Sequence, residues 1–118
     1  MVNQYEAVFI MTPVLSDEQM KETVGKFEQL LRDSGCEIVH QENWGMRTLA
    51  YPIKKKSSGF YHLFEFKAEG SFVREFELQL KRDERIIRYL TVHLDKYAIE
   101  YNQKRRHTKE QNNNEKQQ

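Results

Sequence analysis

The chain has 118 residues, of which 38% are hydrophobic and 31% charged, and its formal net charge is +1. That length suits one domain with a modest core, and no apolar run approaches the roughly 18 residues of a membrane-spanning helix. Cys36 is the only cysteine, which excludes an internal disulfide or a thiolate metal cluster and favours a cytosolic setting.

Met1-Val2-Asn3-Gln4-Tyr5-Glu6 lacks the basic and apolar regions of a signal peptide. From Tyr5 to Met11 the chain is apolar except for Glu6, and it stops at Thr12-Pro13. This predicts a central strand covered wholly or partly on both faces. Ala7, Phe9 and Met11 share one parity; Glu6, Val8 and Ile10 share the other. Ser16 and Gln19 form a capping box, and Met20, Val24, Phe27, Leu30 and Leu31 give the following helix one apolar stripe. Gly35 fits a left-handed C-cap.

Residues 36–53 read as a long strand, least regular around Asn43-Trp44-Gly45. Pro52 cannot donate to a ladder, so it points to a sheet edge or a bulge. Lys54 to Gly59 is a polar turn, and Phe60 to Phe66 a further strand, completing an antiparallel hairpin. Phe60, His62, Phe64 and Phe66 lie on one side of that strand, and Tyr61, Leu63 and Glu65 on the other. Ser71 is the expected cap of a second helix with Phe72, Val73, Phe76 and Leu80 inside, ending at Lys81 to Arg85. Ile86 to Leu94 is a fourth strand. Residues 1–101 thus form the folded domain, and 102–118 a basic Gln/Asn/Lys-rich tail, too polar to order in isolation.

The order is β-α-β-β-α-β, the α+β, ferredoxin-like split-βαβ arrangement: a four-stranded antiparallel sheet with two helices on one face. The other face is then free. Val8, Ile10, Tyr61 and Leu63 belong there, with Leu90 and Val92 beside them. An open apolar sheet face marks a partner or ligand site.

Catalytic chemistry is hard to find. His40, His62, His93 and His107 have no companions at metal-ligand spacing, and none of the five glycines builds a phosphate loop. The expectation is a non-enzyme with neither cofactor nor metal. Charge is more informative. The tail carries five basic residues against two acidic ones, +3, so the body is −2. Yet Arg47, Lys54, Lys55 and Lys56 occupy a window, residues 43–64, without a single acid. Such a cluster is either a solvated hairpin tip or a set of phosphate contacts. Gly59 to Phe66 matches the RNA-recognition-motif signature poorly, since His62 and Glu65 stand where aromatics belong.

The run Trp44-Gly45-Met46-Arg47-Thr48-Leu49-Ala50-Tyr51-Pro52-Ile53-Lys54-Lys55, followed by Gly59-Phe60-Tyr61, resembles bacterial small-subunit ribosomal protein six. Tyr5-Glu6, Arg82-Asp83 and Ile87-Arg88 extend the resemblance across residues 3–97. It implies a cytoplasmic, ribosome-bound structural protein. Its partners would be the central domain of small-subunit rRNA and small-subunit ribosomal protein eighteen, bound as a heterodimer. On that basis Arg47, Lys54 and Arg88 are expected RNA contacts; Lys55 and Lys56 join them from the local charge run, and Arg85 is a weaker candidate. Val8, Ile10, Tyr51, Tyr61 and Leu63 are the expected protein-partner contacts. The competing reading is a ferredoxin-like regulatory or ligand-sensing module that oligomerises through its open sheet face. A hydrolase of the acyl-phosphate type would need an arginine and an asparagine at the phosphate loop, and Thr12-Pro13-Val14-Leu15 supplies neither.

Overall fold

The computed structural model describes residues 2–53 and 55–116, the last nine of them as backbone only. Among these, the elements run β1 (Val2–Met11), α1 (Asp17–Asp33), β2 (Glu37–Ile53), β3 (Lys56–Glu69), α2 (Gly70–Arg82), β4 (Ile86–Leu94) and α3 (Lys96–Lys116). The sheet order is β2-β3-β1-β4, with every neighbouring pair antiparallel. This is the ferredoxin-like arrangement, extended by a third helix.

Local chemistry explains the helix ends. The Ser16 hydroxyl accepts the Gln19 amide hydrogen, and the Gln19 side chain accepts that of Ser16. At the far end Gly35 takes φ +77°, and the amide of Cys36 donates to the Leu31 carbonyl. That left-handed turn is the one glycine adopts without a Cβ clash. The expected role of Ser71 is corrected: α2 already begins at Gly70, and the cap residue is Glu69, which makes no side-chain cap bond. Ser71 therefore lies inside the first turn.

One parity of the sheet faces α1 and α2. Ala7, Phe9, Met11, Phe64 and Phe66 meet Phe27, Leu31, Val73, Phe76 and Leu80 in a single buried cluster. Burying side chains of this size contributes about 1.5–3 kcal/mol each, which makes this layer the main source of stability. His62 joins the aromatic stack, with ring centroids 5.6 Å from Phe9 and 4.8 Å from Phe64. Its Nε2 lies 3.2 Å from the Gln41 side-chain oxygen. Its Nδ1 has no hydrogen-bond partner among the described residues.

The other face is less free than the pattern suggested. Glu65 and Glu6 stand directly opposite each other on β3 and β1. Glu65 is only 1% exposed. Two carboxylates this close need donors and a cation. The chain supplies them from α3. Asn102 donates to both Glu6 and Glu65, and the Arg106 guanidinium lies 2.9 Å from Glu65, close but off the hydrogen-bond axis. Gln4 donates to the remaining Glu65 oxygen. Ordered structure therefore continues past residue 101, the expected end of the folded part. Asp95 accepts the Ala98 amide hydrogen and starts α3, which carries the chain as helix through Lys116. Glu, Lys, Gln and Arg are good helix formers, and the contacts of Asn102 and Arg106 offset the entropy of ordering them.

Candidate nucleic-acid and partner interface

Strand register sorts the open face into rows. Tyr61, Ile10 and Arg88 form one row across β3, β1 and β4; Leu63, Val8 and Leu90 form the next; Glu65, Glu6 and Val92 the third. The third row lies under α3. The first two belong to the candidate site.

The hairpin bends over these rows. Pairing of β2 with β3 passes from Thr48–Ser58 directly to Ile53–Lys56, so residues 49–52 stand opposite Ser57 alone. Leu49, released from the ladder, and Ile53, where pairing resumes, turn onto the sheet and pack with Ile10, Ile87 and Tyr61. Pro52 sits in this arch, on an edge strand, where its missing N–H leaves no ladder bond unmade. Beneath it, Gly59 on β3 lies close against β1. A Cβ there would run into the Ile10 side chain and lie 3.1 Å from the Met11 carbonyl oxygen.

Between arch and sheet lies a groove of about 370 Å³ lined by Val8, Ile10, Leu49, Tyr51, Tyr61 and Leu90, with Arg88 in its wall. The structure thus gathers four of the five expected partner contacts, Val8, Ile10, Tyr51 and Tyr61, in one place. Tyr51 is 82% exposed and Leu90 64%. Leu63 is corrected. It lies on the expected face but is 1% exposed, part of the interior rather than of the surface.

The expected RNA contacts divide. Arg47, Lys55 and Arg88 are exposed and Lys56 is half-buried. None of the four takes part in an ion pair among the described residues. Lys54 lies outside the described residues. Arg85 is held elsewhere. Its Nε and Nη2 donate to the two Asp83 carboxylate oxygens at 2.9 and 2.8 Å, and Lys26 completes the cluster at 3.0 Å. The Arg85 hydrogen bonds hold the Asp83 carboxyl well below the usual carboxylate range, despite burial pushing the other way.

Trp44 is a residue for which the sequence reading found no role. Gly45 at φ +73° and the Asn43 side chain, which accepts the Gly45 amide hydrogen, make a bulge in β2. The bulge turns Trp44 onto Tyr61, with ring centroids 6.0 Å apart and planes 22° from parallel. The Arg47 guanidinium lies over the same indole at 5.1 Å. The indole N–H donates to Glu42. The irregular Asn43-Trp44-Gly45 in a strand, with Arg47 three residues after the tryptophan, was the available signal.

A family model described as Ribosomal protein S6 matches residues 4–93. The chain belongs to that family. It is 59% identical over 108 residues to small ribosomal subunit protein bS6 of Phocaeicola vulgatus, covering 92% of this chain and 95% of that protein. Identity to bS6 of Parabacteroides distasonis is 61%, with 92% of each chain covered. The crystal structure of 30S ribosomal protein S6 from Thermotoga maritima superposes with a TM-score of 0.77 at 26% identity, covering 92% of this chain and 99% of that one. The ribosomal protein S6 family is a structural, non-enzymatic component of the small ribosomal subunit, and its place is the cytoplasmic ribosome.

Proposed function

We propose that this S6-family chain binds the central domain of small-subunit rRNA together with small-subunit ribosomal protein eighteen, as a shared docking unit. The observation that carries the reading is the placement of Arg88. It forms part of the wall of an apolar groove that also contains Tyr51 and Tyr61. A protein side chain filling the groove would lie against a cation aimed at RNA. Arg47 stands on the same sheet face, tied through Trp44 to Tyr61.

Lys55 adds support. It sits at φ +67°, where a residue with a Cβ is disfavoured by roughly 1–2 kcal/mol relative to ordinary backbone. Glycine or asparagine would suit that turn better, so a lysine there points to a role outside the fold. The body of the chain has no excess of positive charge. Local phosphate contacts, completed by a partner, are therefore needed for strong binding.

The test is binding of a central-domain rRNA fragment, with and without protein eighteen, at two salt concentrations. The expected result is weak binding alone and tight, salt-sensitive binding as a pair, weakened by Arg47→Ala and Arg88→Ala. A folded chain that binds neither RNA nor partner would end the proposal.

A further inference from the structure

A second cationic surface lies on α3. This helix has two unlike faces among its described side chains. Ala98, Ile99, Asn102 and Arg106 turn inward and are wholly or partly buried. Tyr97, Tyr101, Lys104 and Arg105 turn outward. Tyr97 is 79% exposed and Tyr101 64%. Neither ring serves the core. The two are one turn apart, about 6 Å along the axis. The Arg105 guanidinium lies over the Tyr101 ring at 6.0 Å. Arg106 is taken by Glu65, but Lys96, Lys104 and Arg105 remain in residues 96–107 against Glu100 alone.

The chemistry of this face selects its occupant. A purely apolar partner would leave the cations unmatched. A regular duplex would match the cations but keep its base faces stacked and out of reach of the tyrosines. Exposed aromatic rings set among basic side chains suit a strand whose bases are unstacked and whose backbone is anionic. We propose that the outer face of α3 is a contact surface for a single-stranded RNA segment. Bases stack on Tyr97 and Tyr101, and Lys104 and Arg105 meet the phosphates. The inference rests on the RNA-binding reading above and adds a site to it. Both sites share one sheet face: Asn102 reaches Glu6, and the groove includes Ile10, four residues along β1.

Fluorescence anisotropy with a labelled oligouridylate, and with an RNA duplex of equal length, tests the full chain. Tyr97→Ala and Tyr101→Ala are each expected to weaken oligouridylate binding about tenfold, with Tyr→Phe retaining it and duplex binding unchanged. Both residues are exposed, so circular dichroism should show intact folds. A Tyr97→Ala/Tyr101→Ala chain that binds oligouridylate like the wild type overturns the inference. If that chain instead loses only protein eighteen, the surface is a protein contact and the inference falls. Arg47→Ala/Arg88→Ala, assayed on the central-domain fragment, separates the two readings. If it weakens binding there while the tyrosine variants bind both RNAs normally, the hairpin stands and α3 does not. If the wild type binds no RNA of any kind, both fall.

Discussion

The Arg47 guanidinium carbon lies 5.1 Å from the centre of the Trp44 ring, whose neighbour is Tyr61 at 6.0 Å. An exposed long side chain is thereby held near one position before any partner arrives. Contacts of this kind are worth about 0.5–1 kcal/mol at exposed sites. Trp44→Ala should weaken binding of the rRNA fragment by about two- to fivefold, and Trp44→Phe by less. Trp44 is the only tryptophan, so its emission reports the site directly. RNA binding that leaves the emission unchanged would remove the indole from the interface.

Stability should fall in mild acid because of His62. Burial holds its pKa down, at about 4 against an ordinary 6.5. The folded chain resists the proton that the unfolded chain accepts. The stabilisation is complete above pH 6.5 and is lost as pH falls toward 4, a difference of about 3 kcal/mol at most. His62→Gln should flatten urea midpoints across that window. Asp83 acts lower. Its carboxyl is held below its usual 3.8, so its contribution persists through the histidine window and goes only in stronger acid. A wild-type midpoint constant from pH 7 to pH 4.5 would contradict this assignment.

Glu65 and Arg106 form an ion pair with side chains 1% and 14% exposed. Removing one member strands the other. Glu65→Ala or Arg106→Ala should each cost about 2–4 kcal/mol in urea unfolding, and Glu65→Leu/Arg106→Met should recover most of it. Hydrogen exchange should show α3 loosening in the single variants first. Equal destabilisation of the single and double variants would mean that the pair does not anchor the helix.

Gly59→Ala tests how closely β3 sits against β1 at the floor of the groove. The added methyl meets the Ile10 side chain and the Met11 carbonyl, and backbone cannot move aside as a side chain does. A loss of about 1–3 kcal/mol is expected. Ile10→Val should not rescue it, because valine keeps the Cγ2 methyl that the added Cβ meets. A neutral Gly59→Ala would show that the groove walls have slack.

Most of the fold was legible because the alternation in β1 and β3 is strong. Phe9 and Phe64 could face only the helices, and the capping box at Ser16 marked the start of α1. The α3 packing was not legible, since nothing in the tail's composition shows that Asn102 and Arg106 have carboxylates to meet. Those lie on Glu6 and Glu65, on strands far away in sequence. Asp95 before Lys-Tyr-Ala-Ile-Glu was the missed cap. The site was half legible. Alternation placed Tyr61 and Ile10 on one face, but it also placed Leu63 there, and parity does not reveal which residues a neighbouring element covers. The resemblance supported Arg88 directly and Arg85 only as a weaker candidate; the carboxylate of Asp83, two residues before Arg85, separates them.

Four residues of β2, 49–52, stand opposite one of β3, Ser57. Alternation above the arch is fixed by the pairs from Arg47–Gly59 to Thr48–Ser58, independently of Ile53–Lys56 beyond it. A residue gained or lost at the tip therefore changes the span of the arch without turning Arg47, Tyr61 or any core side chain to the opposite face. The hairpin end is thus free to change in length while the sheet beneath it stays in register.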